Sequence, residues 1–509
     1  MDILSLGVNF VKLINKVRYG RRYNIDRSSP VYSSLPVSLI RSYNNARILG
    51  PQKYICHAPF VNMYFGVDGN VTACCYNRNF PFGNIKHATI SEMWHGESAS
   101  SLRTYLEHND FSHGCEKCEW GIRSGSYNMV EAGSYDRLEP GKDTAYPKRM
   151  VFELSGTCNL ACKMCNGMLS STYRKHYENE APHPDAYSRD FVEQLKPFLR
   201  HVEHTNFLGG EPFLIDLYFD IWEYLLKENK RCKMHIQTNG LVLNNKVKSV
   251  LERGKFHIGI SIDSLEEEKF ESIRKFGNFK RWMSNLDYFR SYTRQHRSDL
   301  SIVFTPMVEN RYEVPEFLRF ANKWKAYLYM NTLSEPEEMA IDSLDTGELK
   351  DYVDFLKKES GFNNNTYIEK ANLKVYTSYI SQVEFIITSK SEKETRALVE
   401  KEEEIRKKQR EEDSIREGMA LLHDISFDDI KSLVKDRMVR EYEQSDSFGK
   451  LDINLFLQEY ETRIMEEFKV SPAVALDNLK RISLSEKEQF AAAIHSYIRE
   501  SIASHGLIN

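Results

Sequence analysis

The sequence predicts an α/β protein. Its centre is a partial parallel barrel of six βα units, of the TIM kind and open on one side. A small β-hairpin/helix domain precedes it and a helical C-terminal region follows. Three observations carry this. Strand-like and helix-like segments alternate over residues 150–335. Eight of the nine cysteines fall between Cys56 and Cys165. Beyond residue 390 the chain turns into charged and amphipathic helix patterns. At 509 residues the chain is too long for one core. Its 41% hydrophobic and 12% aromatic content suits packed structure rather than disorder. The net charge of −4 gives no general basis for nucleic-acid binding, and none is expected. No apolar run is long enough to span a membrane.

Residues 1–50 read as a helix-like leader and a linker. Apolar residues recur from Ile3 to Val17 without a basic start or a small-residue cleavage site, so the segment does not look like a signal peptide. Docking on the protein's own core is the expected fate. Arg18, Arg21 and Arg22 leave an anionic membrane surface as the alternative. Cysteines clustered in a chain without an export signal favour metal over disulfides and a cytoplasmic location.

Residues 51–125 carry one metal signal. Phe60–Phe65 and Asn70–Cys75 read as strands joined by an Asp68-Gly69 hairpin turn. Ile90–His108 reads as one helix. Cys115-Glu116-Lys117-Cys118 then places two thiols in one loop, and with Cys56 and Cys74 they make a four-cysteine set. Cys75 would point to the opposite face of the strand from Cys74 and reads as packing. By spacing alone the set fits zinc as well as iron–sulfur. Residues 126–149, with Gly133, Pro140, Gly141 and Pro147, read as a linker.

Residues 150–335 hold the barrel. Its strands are Met150–Leu154, His204–Leu208, Lys233–Gln237, His257–Ile262, Leu300–Thr305 and Ala326–Asn331; helices between them include Ser188–Val202, Leu217–Asn229 and Phe279–His296. In parallel barrels the chemistry sits at the C-terminal ends of the strands. There, after the first strand, stand Cys158, Cys162 and Cys165. Three thiolates hold three irons of a cubane cluster and leave the fourth open to bind and reduce a ligand. Cys232 lies outside both cysteine sets and reads as packing.

The Cys158-x-x-x-Cys162-x-x-Cys165 loop resembles the cluster loop of the radical S-adenosylmethionine (SAM) enzymes. Met164 stands where that family usually has an aromatic residue, and counts among the expected cofactor-binding residues. Gly209-Gly210-Glu211-Pro212 matches the family's Gly-Gly-Glu, which holds the SAM amino group, and its two glycines suit close approach to the backbone. Thr238-Asn239-Gly240 resembles the family's Thr-Asn-Gly turn. Ser261-Ile262-Asp263 follows the family's Ser-x-Asp-Gly, with Ser264 in place of the glycine. The resemblance makes Ser261 and Arg274 candidates for the SAM carboxylate, Asp263 for the ribose side, and Asn310 for the adenosine. A guanidinium fork suits a carboxylate, and a surface arginine on a helix is the alternative for Arg274. Upstream, the spacing Cys56…Gly69…Cys74, the run Gly83-Asn84-Ile85 and Ile90-Ser91-Glu92-Met93-Trp94, and Cys115-x-x-Cys118 resemble a SPASM domain in its shortened twitch form. That resemblance tips the four-cysteine set towards a second, auxiliary [4Fe–4S] cluster.

Residues 336–390 hold further apolar segments, Val375–Ile380 and Val383–Thr388, expected to cover the barrel's open side. Within 391–509, Ser391–Glu417 reads as an exposed helix or a loose arm. Phe427–Tyr442, Leu455–Phe468, Ser471–Ile482 and Ser485–Ala503 read as amphipathic helices. They suit substrate or partner binding, closure of the barrel, or a homodimer.

The resemblance implies a radical SAM oxidoreductase. It would reductively cleave SAM to a 5′-deoxyadenosyl radical that takes hydrogen from a substrate C–H, with the auxiliary cluster accepting the remaining electron. A flavodoxin- or ferredoxin-like donor is implied. Relatives with such modules often modify peptides or proteins, and others act on sugars or nucleotides. A non-catalytic iron–sulfur protein that binds a partner is the alternative from another class. Retention of both the cysteine loop and the Gly209–Glu211 and Ser261–Asp263 motifs argues against it.

Overall fold

The computed structural model describes residues 11–16, 19, 35–125, 127–141 and 145–423. The chain divides into two compact units, Met1–Lys390 and Ser391–Asn509.

The first unit is organised by one nine-stranded sheet. The N-terminal domain supplies β1 (Asn62–Phe65), β2 (Asn70–Thr72) and β3 (Gly83–Asn84), which pair antiparallel in that order. The barrel supplies β4 (Arg149–Phe152), β6 (His204–Phe207), β7 (Lys233–Thr238), β8 (Phe256–Ser261), β10 (Leu300–Phe304) and β11 (Tyr327–Met330). These six are parallel and adjacent in chain order. Two further short strands, β5 (Ala161–Cys162) and β9 (Arg274–Lys275), form a separate antiparallel ribbon.

β1 pairs in parallel with β4, Asn62 opposite Arg149 and Phe65 opposite Phe152, so the N-terminal domain extends the barrel sheet past its first strand. The seam is held by a ring ladder. Phe65 stacks on Phe152 at 5.3 Å and Phe152 on Phe207 at 5.2 Å, all three from directly opposed positions and fully buried. Opposed aromatic pairs add stacking energy to burial, so this row fixes the register of both domains.

Along the barrel strands burial alternates. On β7, Met234, Ile236 and Thr238 are buried while His235 and Gln237 stay partly accessible. The apolar set faces the crossover helices, where Phe207 meets Trp222 at 5.3 Å. The other set faces the barrel interior, where the gap over Gly259 is filled by the Gln237 and His235 side chains. The interior is therefore polar. Its far edge, β11, is met by the first-unit part of the long helix Tyr367–His423. Asn372 on that helix accepts from the Leu328 amide at 2.7 Å and donates to the Ala326 carbonyl at 2.9 Å, capping part of the open edge.

Several elements differ from expectation. Phe60–Phe65 is not one strand: Ala58–Val61 forms a helical turn with a proline in its first turn, and β1 begins at Asn62. Asn70–Cys75 stops as a strand at Thr72, whose hydroxyl bonds the Cys74 carbonyl at 2.9 Å and bends the chain. Ile90–His108 is two helices, Ile90–His95 and Glu97–Glu107, broken at Gly96, where a Cβ would lie 2.5 Å from the Glu92 carbonyl oxygen. Val375–Ile380 and Val383–Thr388 belong to one helix, which buries Tyr376, Tyr379 and Val383. The leader's described residues dock on the first unit: Asn15 donates to the Leu49 carbonyl at 3.0 Å and Tyr19 to Glu139 at 3.2 Å.

In the second unit the helix continues to His423, and residues 399–410 are exposed. The expected helices Phe427–Tyr442, Leu455–Phe468, Ser471–Ile482 and Ser485–Ala503 lie outside the described residues. No helix among the described residues is long and apolar enough to cross a membrane.

Candidate functional site

β4 delivers the chain into the three-cysteine loop at its C-terminal end. Tyr218 clamps the exit: its hydroxyl accepts from the Leu154 amide at 3.0 Å and lies 2.9 and 2.7 Å from the Phe152 and Leu208 carbonyls. Within the loop, Ser170 Oγ donates to the Leu160 carbonyl at 2.5 Å and Thr172 Oγ1 to the Cys158 carbonyl at 2.6 Å. Cys165 N bonds Cys162 O at 3.0 Å, and Met164 lies partly buried between them. All nine cysteines are free thiols.

Gly209 and Gly210 serve this loop directly. Gly209 has φ +106°, and a Cβ on Gly210 would lie 2.2 Å from the Thr157 carbonyl oxygen. Gly210 N donates to Ser155 O at 2.9 Å and Glu211 N to Thr157 O at 2.8 Å. The close approach that requires the glycines is that of the cysteine loop's own backbone. Glu211 is fully buried. Its carboxylate accepts from Thr238 Oγ1 at 2.7 Å, Asn239 N at 2.8 Å and Phe213 N at 3.2 Å. Burial pushes its pKa up to about 7 against these donors. Asn239 in turn donates to Asn159 Oδ1 at 2.9 Å and lies 4.0 Å from Cys158 Sγ. One hydrogen-bonded chain thus links the ends of β6 and β7 to the loop after β4.

Arg274 is not a surface arginine. It is buried, at the end of the helix Glu267–Ile273, and pairs with Cys162 across the β5–β9 ribbon. Its guanidinium lies 2.6 Å from Asp263 Oδ2, and Asp263 also accepts from the Thr305 amide at 3.0 Å. Asp263 is fully buried, and its Oδ2 meets Arg274 as an ion pair outside hydrogen-bond geometry. Arg274 Nε is buried with no acceptor among the described residues. A carboxylate beside it would satisfy that donor. Ser261 accepts from Gln237 Nε2 at 2.7 Å, and its partly accessible hydroxyl faces the interior. Asn310 is committed to backbone, donating to Asp263 O at 2.8 Å and Thr305 O at 3.1 Å and accepting from Met307 N at 2.6 Å. Ser264, standing where relatives have glycine, bonds the buried Glu313 at 2.9 Å. That pair fixes the loop, and no sequence motif announced Glu313.

The four upstream cysteines gather at the opposite end of the sheet. Cys56 precedes β1. Cys74 follows β2 at the level of Asn62, whose amide bonds Ala73 O at 2.7 Å. Cys115 and Cys118 open the helix Glu116–Arg123. Cys56 and Cys74 each lie close enough to Cys115 and Cys118 for a thiolate there to raise their own pKa. Donors are aimed at the sulfurs: Asn77 Nδ2 lies 3.0 Å from Cys115 Sγ and Ala58 N 3.4 Å from Cys56 Sγ. Cys75 faces a different group, Glu131, Arg78, Arg149 and Glu153. The bend after Thr72 separates it from Cys74, not strand alternation.

Each set consists of thiols alone, the ligand type of iron–sulfur clusters. A cubane spreads its cysteines over separate irons. Burial pushes the metal-free thiols up, Cys158 to about 11 and Cys162 to about 12. Loading must therefore displace protons. Cys158, Cys162 and Cys165 would hold the SAM-binding cluster, and Cys56, Cys74, Cys115 and Cys118 the auxiliary one. The two sets lie at opposite ends of the paired strands β1 and β4. Cys232, buried with its Sγ 3.6 Å from Thr205 Oγ1, belongs to neither set.

The fold and site together define an iron–sulfur partial-barrel protein with two thiol centres. The radical SAM superfamily profile matches residues 152–321, and an iron–sulfur cluster-binding SPASM profile matches residues 56–119. The chain thus carries a radical SAM domain with an auxiliary iron–sulfur domain ahead of it. The cofactors of these domains are a [4Fe–4S] cluster with SAM in the first and auxiliary iron–sulfur in the second. Among curated proteins it is similar to a GTP 3',8-cyclase of Clostridium perfringens, 26% identical over 142 residues, 26% of this chain and 40% of the relative. A probable GTP 3',8-cyclase of Methanocaldococcus jannaschii is 23% identical over 36% of this chain and 57% of the relative. Among solved structures, anSMEcpe with bound AdoMet aligns with a TM-score of 0.32 and 19% identity over 41% of this chain and 56% of that one. Streptococcus suis SuiB bound to the precursor peptide SuiA aligns with a TM-score of 0.32 and 17% identity over 55% and 64%. The chain spans less than two thirds of each of these relatives.

Proposed function

We propose that this protein is a cytoplasmic radical SAM oxidoreductase that oxidises a C–H position of a substrate held in the barrel interior. The observation that carries this is the placement of two cysteine sets at opposite ends of one sheet. When bound, the cluster on Cys158, Cys162 and Cys165 with SAM supplies one-electron cleavage of the sulfonium and a carbon radical able to take hydrogen. The chain's own residues do the rest. Glu211 and Asn239 set the loop, and the Glu211 carboxylate, held by Thr238, Asn239 and Phe213, is the acid that the SAM ammonium would approach. Asp263 aims the Arg274 fork at the SAM carboxylate. Arg78 lies 3.1 Å from Tyr64 Oη and 3.3 Å from Glu153 Oε2, a polar cluster across β1 and the end of β4. The auxiliary set would take the electron left on the substrate, and a flavodoxin- or ferredoxin-like protein would supply the first.

The substrate under this reading is a peptide or protein recruited partly by residues 391–509, a segment larger than closure of a barrel needs. Deleting 391–509 is expected to leave substrate-free release of 5′-deoxyadenosine intact and to abolish substrate-stimulated turnover. Full-rate turnover with unchanged affinity in the truncated protein would contradict recruitment. The second reading is a small metabolite, and the curated GTP 3',8-cyclases to which the chain is similar are the observation that favours it.

A further inference from the structure

A cavity of about 600 Å³ lies at the N-terminal mouth of the barrel, away from the three-cysteine loop. Its wall includes residues at or near the starts of all six barrel strands, together with Arg137 and the long helix at Asn372. The side chains it collects are basic. Arg149, His204, Lys233 and His257 come from β4, β6, β7 and β8, His235 stands one rung above Lys233, and Arg137 comes from the segment before the barrel.

Few acids answer them. Asp299 is the cavity's carboxylate, and it is taken by His257 Nδ1 at 2.9 Å. Glu131 lies near Arg149 from outside the lining. Lys233 and Arg137 have no salt bridge among the described residues. His235 Nδ1 is buried without a hydrogen-bond partner. Its pKa falls to about 4 through burial and then the charges of His257 and Arg149, so the ring is neutral. Among the described residues Arg149 reaches only the neutral Asn206 Oδ1, at 3.3 Å, so the charges of Arg149, Arg137 and Lys233 and the unpartnered ring nitrogen of His235 lie on one cavity wall.

We infer that the N-terminal mouth of the barrel is an anion site, built by Lys233, Arg137, Arg149 and His235 to hold a carboxylate or phosphate group of the substrate. Four residues along β7 separate His235 from Asn239, or ~13 Å. Gln237 and His235 fill the interior between them at Gly259, so a substrate anchored at the mouth reaches the SAM site only past these two side chains. As a substrate anchor the site rests on the radical SAM reading; as an anion site it does not.

The test uses full-length, cluster-reconstituted protein without SAM. Its thermal midpoint is followed with increasing inorganic phosphate and, separately, acetate, each against sodium chloride at matched ionic strength. A ligand that binds only the folded state raises the midpoint in a saturable way. A saturable rise with phosphate supports the site and a phosphorylated substrate. A rise with acetate supports it and points to an acidic side chain or carboxyl terminus. Lys233→Met and the exposed Arg137→Ala should each weaken the response roughly tenfold, the worth of one charge-assisted hydrogen bond. His235→Asn is a third variant, and Arg137→Ala keeps the test open if it fails to fold. No saturable rise with either anion, or a rise unchanged in both Lys233→Met and Arg137→Ala, overturns the inference. Neither result bears on SAM cleavage, which is assayed separately.

Discussion

Replacing Cys158, Cys162 and Cys165 together with alanine is expected to bring 5′-deoxyadenosine release down to that of a protein-free control, with the fold retained. The loop's backbone does not depend on its sulfurs. It is held by Ser170 and Thr172 on the Leu160 and Cys158 carbonyls, and by the Gly210 and Glu211 amides on Ser155 and Thr157. Removing the thiols leaves those bonds in place while removing every protein ligand of the SAM-binding cluster. The measurement is product release from the dithionite-reduced protein, with circular dichroism as the control on folding. Release equal to the parent's would place SAM cleavage elsewhere.

Asp263→Ala should cost about 3–5 kcal/mol of unfolding free energy, because it strands the buried Arg274 guanidinium. The pair is well shielded, with the side chains 0% and 9% exposed. The Thr305 amide loses its acceptor as well. Asp263→Asn keeps an acceptor for Thr305 and should cost less. Urea denaturation of the two variants measures the difference. The alanine variant should also bind SAM more weakly, since nothing then aims the fork beside Cys162. A cost below about 1 kcal/mol would mean that Arg274 finds another partner or reaches water.

Much of this arrangement was legible in the sequence. Parallel strands buried on the helix side announce themselves as short apolar runs between helix patterns. All six barrel strands accordingly lie within two residues of their expected ends. The hairpin at Asp68-Gly69 was legible for a local reason: Gly69 sits at φ +87° and Asp68 accepts from the Asn70 amide. The misreadings come from tertiary contacts. Thr72 ends its strand through a hydroxyl bond to Cys74 O, and Gly96 splits a continuous helical pattern. The Gly209-Gly210 pair reads as room for a ligand, yet the structure fills that room with the Ser155–Thr157 backbone. Arg274 and Asp263 are eleven positions apart, and no periodicity reveals that they meet in the interior. The cationic mouth was invisible for a related reason. Its side chains come one or two at a time from separate strands, and each alone is an ordinary polar residue at a strand's start.

The most direct test of two separate cluster centres is the iron count by Mössbauer spectroscopy and metal analysis. It is made on the anaerobically reconstituted chain and three sets of alanine variants. Two [4Fe–4S] clusters give about eight irons per chain. The Cys158/Cys162/Cys165 variant should fall to about four. A Cys56/Cys74/Cys115/Cys118 variant should also fall to about four, from the other centre. Cys75→Ala should keep about eight, since Cys75 faces Arg78, Arg149 and Glu153 instead of the cysteine set. Tightly held zinc in place of the second cluster, or equal iron in the parent and the three-cysteine variant, would contradict the account.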